Sequence, residues 1–85
     1  MASQHLVRTP GQLGAALRTR RRGLGLSQKE LSGRISLRQA TVSAVESGAS
    51  DTRLSTIMDL LNALNLELVV RPREAHTDED LEKLF

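Results

Sequence analysis

Between Ser27 and Gly48 the chain reads SQKELSGRISLRQATVSAVESG, two short helical periods joined by a tight turn. Leu31 and Ile35 are four apart and share one face of the first helix. Ser27 is its natural cap: the hydroxyl can accept from the N–H of Lys29 or Glu30, and Glu30 holds the capping-box position three residues on. The second helix begins near Arg38, buries Val42 and Val45, and stops at Gly48, as a helix C′ residue should. The predicted spans are Gln28 to about Arg34 and about Gln39 to Ser47, and the rest of the chain is organised around this hairpin.

Burial of Val42 and Val45 leaves Arg38, Gln39, Ala40, Thr41, Ser43 and Ala44 at the front and outer side of the second helix. Gln can pair bidentately with adenine, Arg with guanine, and a methyl can meet the thymine methyl. Polar and small residues at the start of a second helix are what a major-groove reader needs. Arg38, Gln39, Ala40 and Ser43 are therefore the candidate base contacts, with Ala40 against a thymine methyl. Ser27, Gln28 and Thr41 are candidate phosphate contacts, Gln28 through its amide beside the free N–H groups of a helix start. The same amide is placed to brace Gln39. The spacing of Leu and Val equally suits a generic helical hairpin in a small core. The Gln28/Gln39 pair, the short turn and Glu46-x-Gly48 together favour DNA.

With 85 residues the chain has room for one small domain. It has no Cys, hence no disulfide and no thiolate metal site, and a single Phe is its only aromatic residue. The core must be built from Leu, Ile, Val and Ala, and so small a core is commonly helped by oligomerisation. No run approaches the ~20 apolar residues of a membrane span and no signal peptide is visible, so a cytoplasmic protein is expected, with no membrane partner. The net charge of +2 hides an asymmetry: residues 1–73 carry a balance of +6 and residues 74–85 one of −4. A basic body suits a polyanion such as DNA. An acidic end suits a different partner or a solvated tail.

Residues 1–8 lack a helical period and read as a flexible arm, within which His5 to Arg8 could form a short strand. Helix 1 starts at Thr9-Pro10, with Thr9 as N-cap and Pro10 at N1. Leu13, Ala16, Leu17 and Arg20/Arg21 follow helical spacing, Leu24 closes the face, and Gly23 and Gly25 end the helix. Gly23-x-Gly25 lacks the third glycine and the preceding strand of a nucleotide loop. Arg21 falls near the apolar stripe, which leaves Arg18, Arg20 and Arg22 for solvent or phosphate. In the hairpin, Ser32 needs a partner for its hydroxyl, and Ser36 in a left-handed turn would cost roughly 1 kcal/mol. Asp51 or Thr52 is expected to cap helix 4, which runs to about Asn65 with Leu54, Ile57, Leu60, Leu61 and Leu64 as its stripe and Met58 to one side. Arg53, at its start, is a further candidate for phosphate.

Leu66 to Arg71 changes the period from 3.6 to 2, with Leu66, Leu68 and Val70 on one side. A single strand needs a partner for its backbone groups. Either the His5–Arg8 stretch or a second copy of the segment could serve. Residues 73–85 are acidic with a late apolar cluster, Leu81, Leu84 and Phe85, able to form a short amphipathic helix on binding. His5 and His76 are isolated, so no metal is expected. There is no Cys nucleophile, no Ser–His–acid arrangement and no phosphate loop, so neither an enzyme nor a cofactor is expected.

The hairpin resembles the helix-turn-helix of the Xre/phage-repressor family, in which a Gln opens the scaffold helix and Ile/Val–x–x–Ile/Val–Glu–x–Gly closes the recognition helix. Here these read Leu26-Ser27-Gln28 and Val42-Ser43-Ala44-Val45-Glu46-Ser47-Gly48. Thr9-Pro10-x-Gln12-Leu13, Arg38-Gln39-Ala40-Thr41 and Leu66-Glu67-Leu68 narrow the resemblance to HipB-like antitoxins, over about residues 8–70. Ser32 and Ser36 depart from it, standing where Ala and Gly are usual.

The resemblance implies a mainly α, four-to-five-helix phage-repressor-like domain with one C-terminal β-strand pairing antiparallel across a homodimer. It implies an arm over 1–8, a DNA-binding and dimerisation domain over 9–72 and an acidic tail over 73–85. It implies an ion pair between Arg21 and Glu46, and a contact from Arg53 to phosphate or within the minor groove; Arg22, left over from the basic run, is a further candidate for phosphate. The function it implies is a repressor of a palindromic operator in the bacterial cytoplasm, associated with the nucleoid. That repressor would also neutralise a HipA-like serine/threonine kinase toxin, with Leu81, Leu84 and Phe85 as candidate toxin contacts. A stand-alone regulator without a toxin is the alternative, and a helix-turn-helix used only for protein contacts a further one.

Overall fold

The computed structural model describes residues 4–73. They form four helices, α1 Pro10–Gly23, α2 Gln28–Arg34, α3 Gln39–Glu46 and α4 Leu54–Ala63. The predicted boundaries hold to within a residue or two, the ends being where fraying and capping compete.

The first two helices open as their sequences dictate. The Thr9 hydroxyl accepts from the Gln12 N–H at 3.1 Å, and the Gln12 side-chain carbonyl accepts from the Arg8 N–H at 2.6 Å. Ser27 and Glu30 form the reciprocal capping box, at 3.0 and 3.1 Å. The N–H and the hydroxyl of Ser27 hold the Glu30 carboxyl below its ordinary value. α4 departs from expectation. Its N-cap is Arg53, which makes no side-chain cap hydrogen bond, so neither Asp51 nor Thr52 takes the place read for it.

All four helices end alike. Beyond each C-cap stands a residue with positive φ: Gly25 at 73°, Ser36 at 55°, Gly48 at 92° and Asn65 at 54°. The next residue returns its N–H to a carbonyl five back: Leu26 to Arg21, Leu37 to Ser32, Ala49 to Ala44 and Leu66 to Leu61. This is the Schellman ending, which satisfies carbonyls a helix end leaves bare. Glycine suits the left-handed position, asparagine tolerates it, and Ser36 carries the strain read from the sequence. Gly33 is different: it is helical, and a Cβ there would meet open space. Gly33→Ala is expected to raise the unfolding free energy by about 0.5–1 kcal/mol, read as a higher urea midpoint at unchanged slope.

The core is Leu17, Leu26, Leu31, Val42, Val45, Leu60, Leu61 and Leu64, with Leu13, Ile35, Leu37, Ile57 and Leu66 packed against it. Two expected members lie elsewhere. Leu24 is 45% exposed because it serves as the α1 C-cap, and the turn beyond it delivers Leu26 to the core instead. Leu54 is 67% exposed: it is the first residue of α4 and projects past the core. The Ser32 hydroxyl finds its partner in the Lys29 carbonyl, at 2.8 Å. Gly14 sits where α1 crosses the end of α3. An added Cβ would stand 2.7 Å from the Glu46 carbonyl oxygen and closer still to that of Val45.

Among the described residues no strand forms within the single chain. The His5–Arg8 and Leu66–Arg71 segments are not paired with each other, and Leu68, Val69 and Val70 are exposed, Val70 to 90%. Leu81, Leu84 and Phe85 lie outside the described residues.

Candidate nucleic-acid interface

The residues that hold α3 in place lie behind it, buried or half-buried. The Arg21 guanidinium grips Glu46 with two parallel bonds, Nε to Oε2 at 2.7 Å and Nη2 to Oε1 at 3.0 Å. Its third nitrogen, Nη1, donates to the Leu26 carbonyl at 2.7 Å. Both side chains of the ion pair are under a tenth exposed. The Gln28 amide nitrogen adds a third bond to the carboxylate, 3.1 Å from Oε1. One carboxylate at the end of α3 is thereby fixed to the last turn of α1 and the first residue of α2.

The electrostatics follow from this geometry. Burial pushes the Glu46 carboxyl up, but the hydrogen bonds from Arg21 and Gln28 and the charges of Arg21 and Arg18 outweigh it. The net direction is down from the ordinary glutamate value. The hydrogen bond to Glu46 raises the Arg21 value, against the opposing effect of burial. Both groups stay charged at neutral pH.

The opposite side of α3 faces outward. Arg38, Gln39, Ala40 and Ala44 are exposed, and Thr41 and Ser43 are half-buried, while Val42 and Val45 fill the core. Gln39 is thus presented to solvent at the first position of a helix whose last position is clamped. Ser27, Arg22 and Arg53 are also exposed, around the ends of α2, α1 and α4. Gln28 is half-buried, and its amide nitrogen braces Glu46 at the far end of α3 rather than Gln39 at its start. The Ser27 hydroxyl is engaged as the α2 cap.

Some structural residues behind the surface were not read from the sequence. Arg20, which the sequence left to solvent or phosphate, is one: its Nε donates to the Leu64 carbonyl at 3.0 Å, tying α1 to the end of α4. Gly14 is another, and its signal was a glycine among good helix formers. Among the described residues no group of three or more His, Cys, Asp or Glu is arranged to hold a metal. Nor is any helix there long and apolar enough to cross a membrane.

The helix-turn-helix family matches residues 17–70 of the chain. Antitoxin HipB of Escherichia coli O6:H1 is 32% identical over 87 residues, spanning 96% of this chain and 93% of that protein. The chain belongs to the HipB-like helix-turn-helix family. Solved structures agree at the level of the fold. The HipB–O4 20mer complex superposes with a TM-score of 0.78 at 30% identity, covering 84% of this chain and 100% of the other. The HipB of a HipA–HipB–O2–O3 complex gives 0.77 at 30% identity, with the same coverage. Membership places the chain among DNA-binding regulators and agrees with the resemblance carried by Gln28 and Glu46-x-Gly48.

Proposed function

We propose that the protein is a dimeric repressor that reads a palindromic operator and serves as the antitoxin of a HipA-like kinase. The observation that carries the DNA half is Gln39, exposed at the start of a helix whose other end is locked by Arg21, Glu46 and Gln28. Arg38, Gln39, Ala40 and Ser43 face base edges in this reading. Ser27, Gln28, Thr41, Arg22 and Arg53 lie along the phosphates, Gln28 through whatever its bond to Glu46 leaves available. Two such helices, related by two-fold symmetry, enter successive major grooves about 34 Å apart.

The dimer comes from Leu66–Arg71. The exposed Leu68 and Val70 of that segment, which forms no strand within the single chain, meet an antiparallel copy, with Leu66, Leu68 and Val70 as one side of the shared ribbon. The toxin half rests on likeness to HipB, which the HipA–HipB–O2–O3 structure holds together with HipA and DNA. Leu81, Leu84 and Phe85 are proposed to reach the kinase. If the protein acts alone, the same surface binds DNA and residues 74–85 serve solubility.

Three measurements test this. Light scattering at micromolar concentration should give a dimer; a monomer defeats the shared ribbon. Selection from a random duplex library should return palindromes, and their affinity should fall by about 10³-fold or more between 50 and 200 mM salt if six or more phosphates are contacted. A HipA-like kinase should be retained by the full chain and lost by a chain ending at Arg73. Retention by both moves the toxin contact to the body, and retention by neither leaves a stand-alone regulator.

A further inference from the structure

The dimer of the proposed function needs more than a ribbon: it needs the ribbon to leave each body in a fixed direction. Several hydrogen bonds converge where α4 gives way to that segment. The Leu64 N–H donates to the Leu60 carbonyl at 3.1 Å, the Asn65 N–H to Asn62 at 3.2 Å and the Leu66 N–H to Leu61 at 2.8 Å. From across the fold, Arg20 Nε donates to the Leu64 carbonyl at 3.0 Å. A cation at a helix C-terminus also complements the helix dipole. Asn65 makes the turn at φ 54°, and the Leu66 side chain packs against the core. Beyond Leu66 exposure rises, from 53% at Leu68 to 90% at Val70.

Arg20 and Arg21 are neighbours on α1 with different duties. Arg21 holds the end of the recognition helix, and Arg20 holds the point at which the dimer segment departs. A single helix therefore relates the DNA-facing element to the two-fold axis. We infer that the Arg20–Leu64–Asn65 joint is a positioning device that fixes the spacing between operator half-sites. This rests on the dimeric-repressor reading. Adding or removing one central base pair moves the second half-site by about 3.4 Å and turns it by roughly 35°. A braced joint resists that displacement, and a loosened one follows it.

The test is selection from a random duplex library, with sequencing, for the wild type, Arg20→Ala and Asn65→Gly. Asn65→Gly keeps the positive φ while freeing the backbone. The wild type returns one dominant spacing and loses roughly tenfold or more on duplexes one base pair longer or shorter, comparable to a mismatched base pair. Each variant returns the same half-site sequence at several spacings, and its loss on the altered duplexes shrinks to within about threefold. A folded, dimeric variant that keeps one spacing overturns the inference while leaving the repressor reading intact. If Arg20→Ala does not fold, Asn65→Gly decides. A wild type that selects no palindrome overturns both.

Discussion

Replacing Glu46 with alanine is expected to lower the unfolding free energy by about 3 kcal/mol, because it strands a buried guanidinium. The loss is not confined to one bond. Arg21 Nε and Nη2 and the Gln28 amide all donate to that carboxylate, and all three would be left facing a cavity. For a domain of this size the midpoint of a thermal melt should drop by more than about 10 °C. A drop of a degree or two would mean that the pair adds little.

Acid should do gradually what the mutation does at once. The Glu46 value is lowered in the folded protein, so its stabilisation is present above the unfolded glutamate value, ~4.3, and is lost as the pH falls through the folded one. Glu46→Gln removes the titrating group but keeps its shape. The variant should therefore lose less stability than the wild type between about pH 5 and pH 3. Glu30, also lowered, titrates in both proteins and leaves some acid dependence behind.

Gly14→Ala is expected to cost about as much, near 3 kcal/mol, by overpacking. The atoms in the way are the carbonyl oxygens of Val45 and Glu46, and backbone at the end of a packed helix cannot swing aside as a side-chain tip can. Relief requires α1 and α3 to separate, which lengthens the Arg21–Glu46 bonds as well. The two changes share that contact. Denaturant titration of Gly14→Ala/Glu46→Ala should thus show a combined loss smaller than the sum of the single losses. Full additivity would mean that the two sites act independently.

Much of this was legible in the chain itself, for identifiable reasons. Caps at Thr9 and Ser27 act over three residues, so local chemistry is enough to place them. The outward face of α3 could be found by elimination once Val42 and Val45 were assigned inward. Arg21 was marked out by falling near an apolar stripe, and its pairing with Glu46 by the family resemblance. Other features are long-range and carry little local signal. Arg20 and Leu64 are 44 residues apart, and nothing in a run of arginines tells which one will meet a carbonyl of another helix. Gln28 could have braced Gln39 or Glu46, and only the crossing of α2 and α3 decides. Leu24 and Leu54 fit the apolar period but stand at helix ends, where the period no longer reports which way a side chain faces.

Whether the outward residues at the start of α3 discriminate among bases is decided by one comparison. Take the palindrome selected by the wild type and a scrambled duplex of equal length, and titrate both with Gln39→Ala and with Arg22→Ala at fixed salt. Gln39→Ala should lose about 1–3 kcal/mol on the palindrome per half-site and almost nothing on the scramble, narrowing the ratio between them. Arg22→Ala should weaken both alike and leave the ratio unchanged. An equal loss on both duplexes from Gln39→Ala would show that α3 does not read sequence.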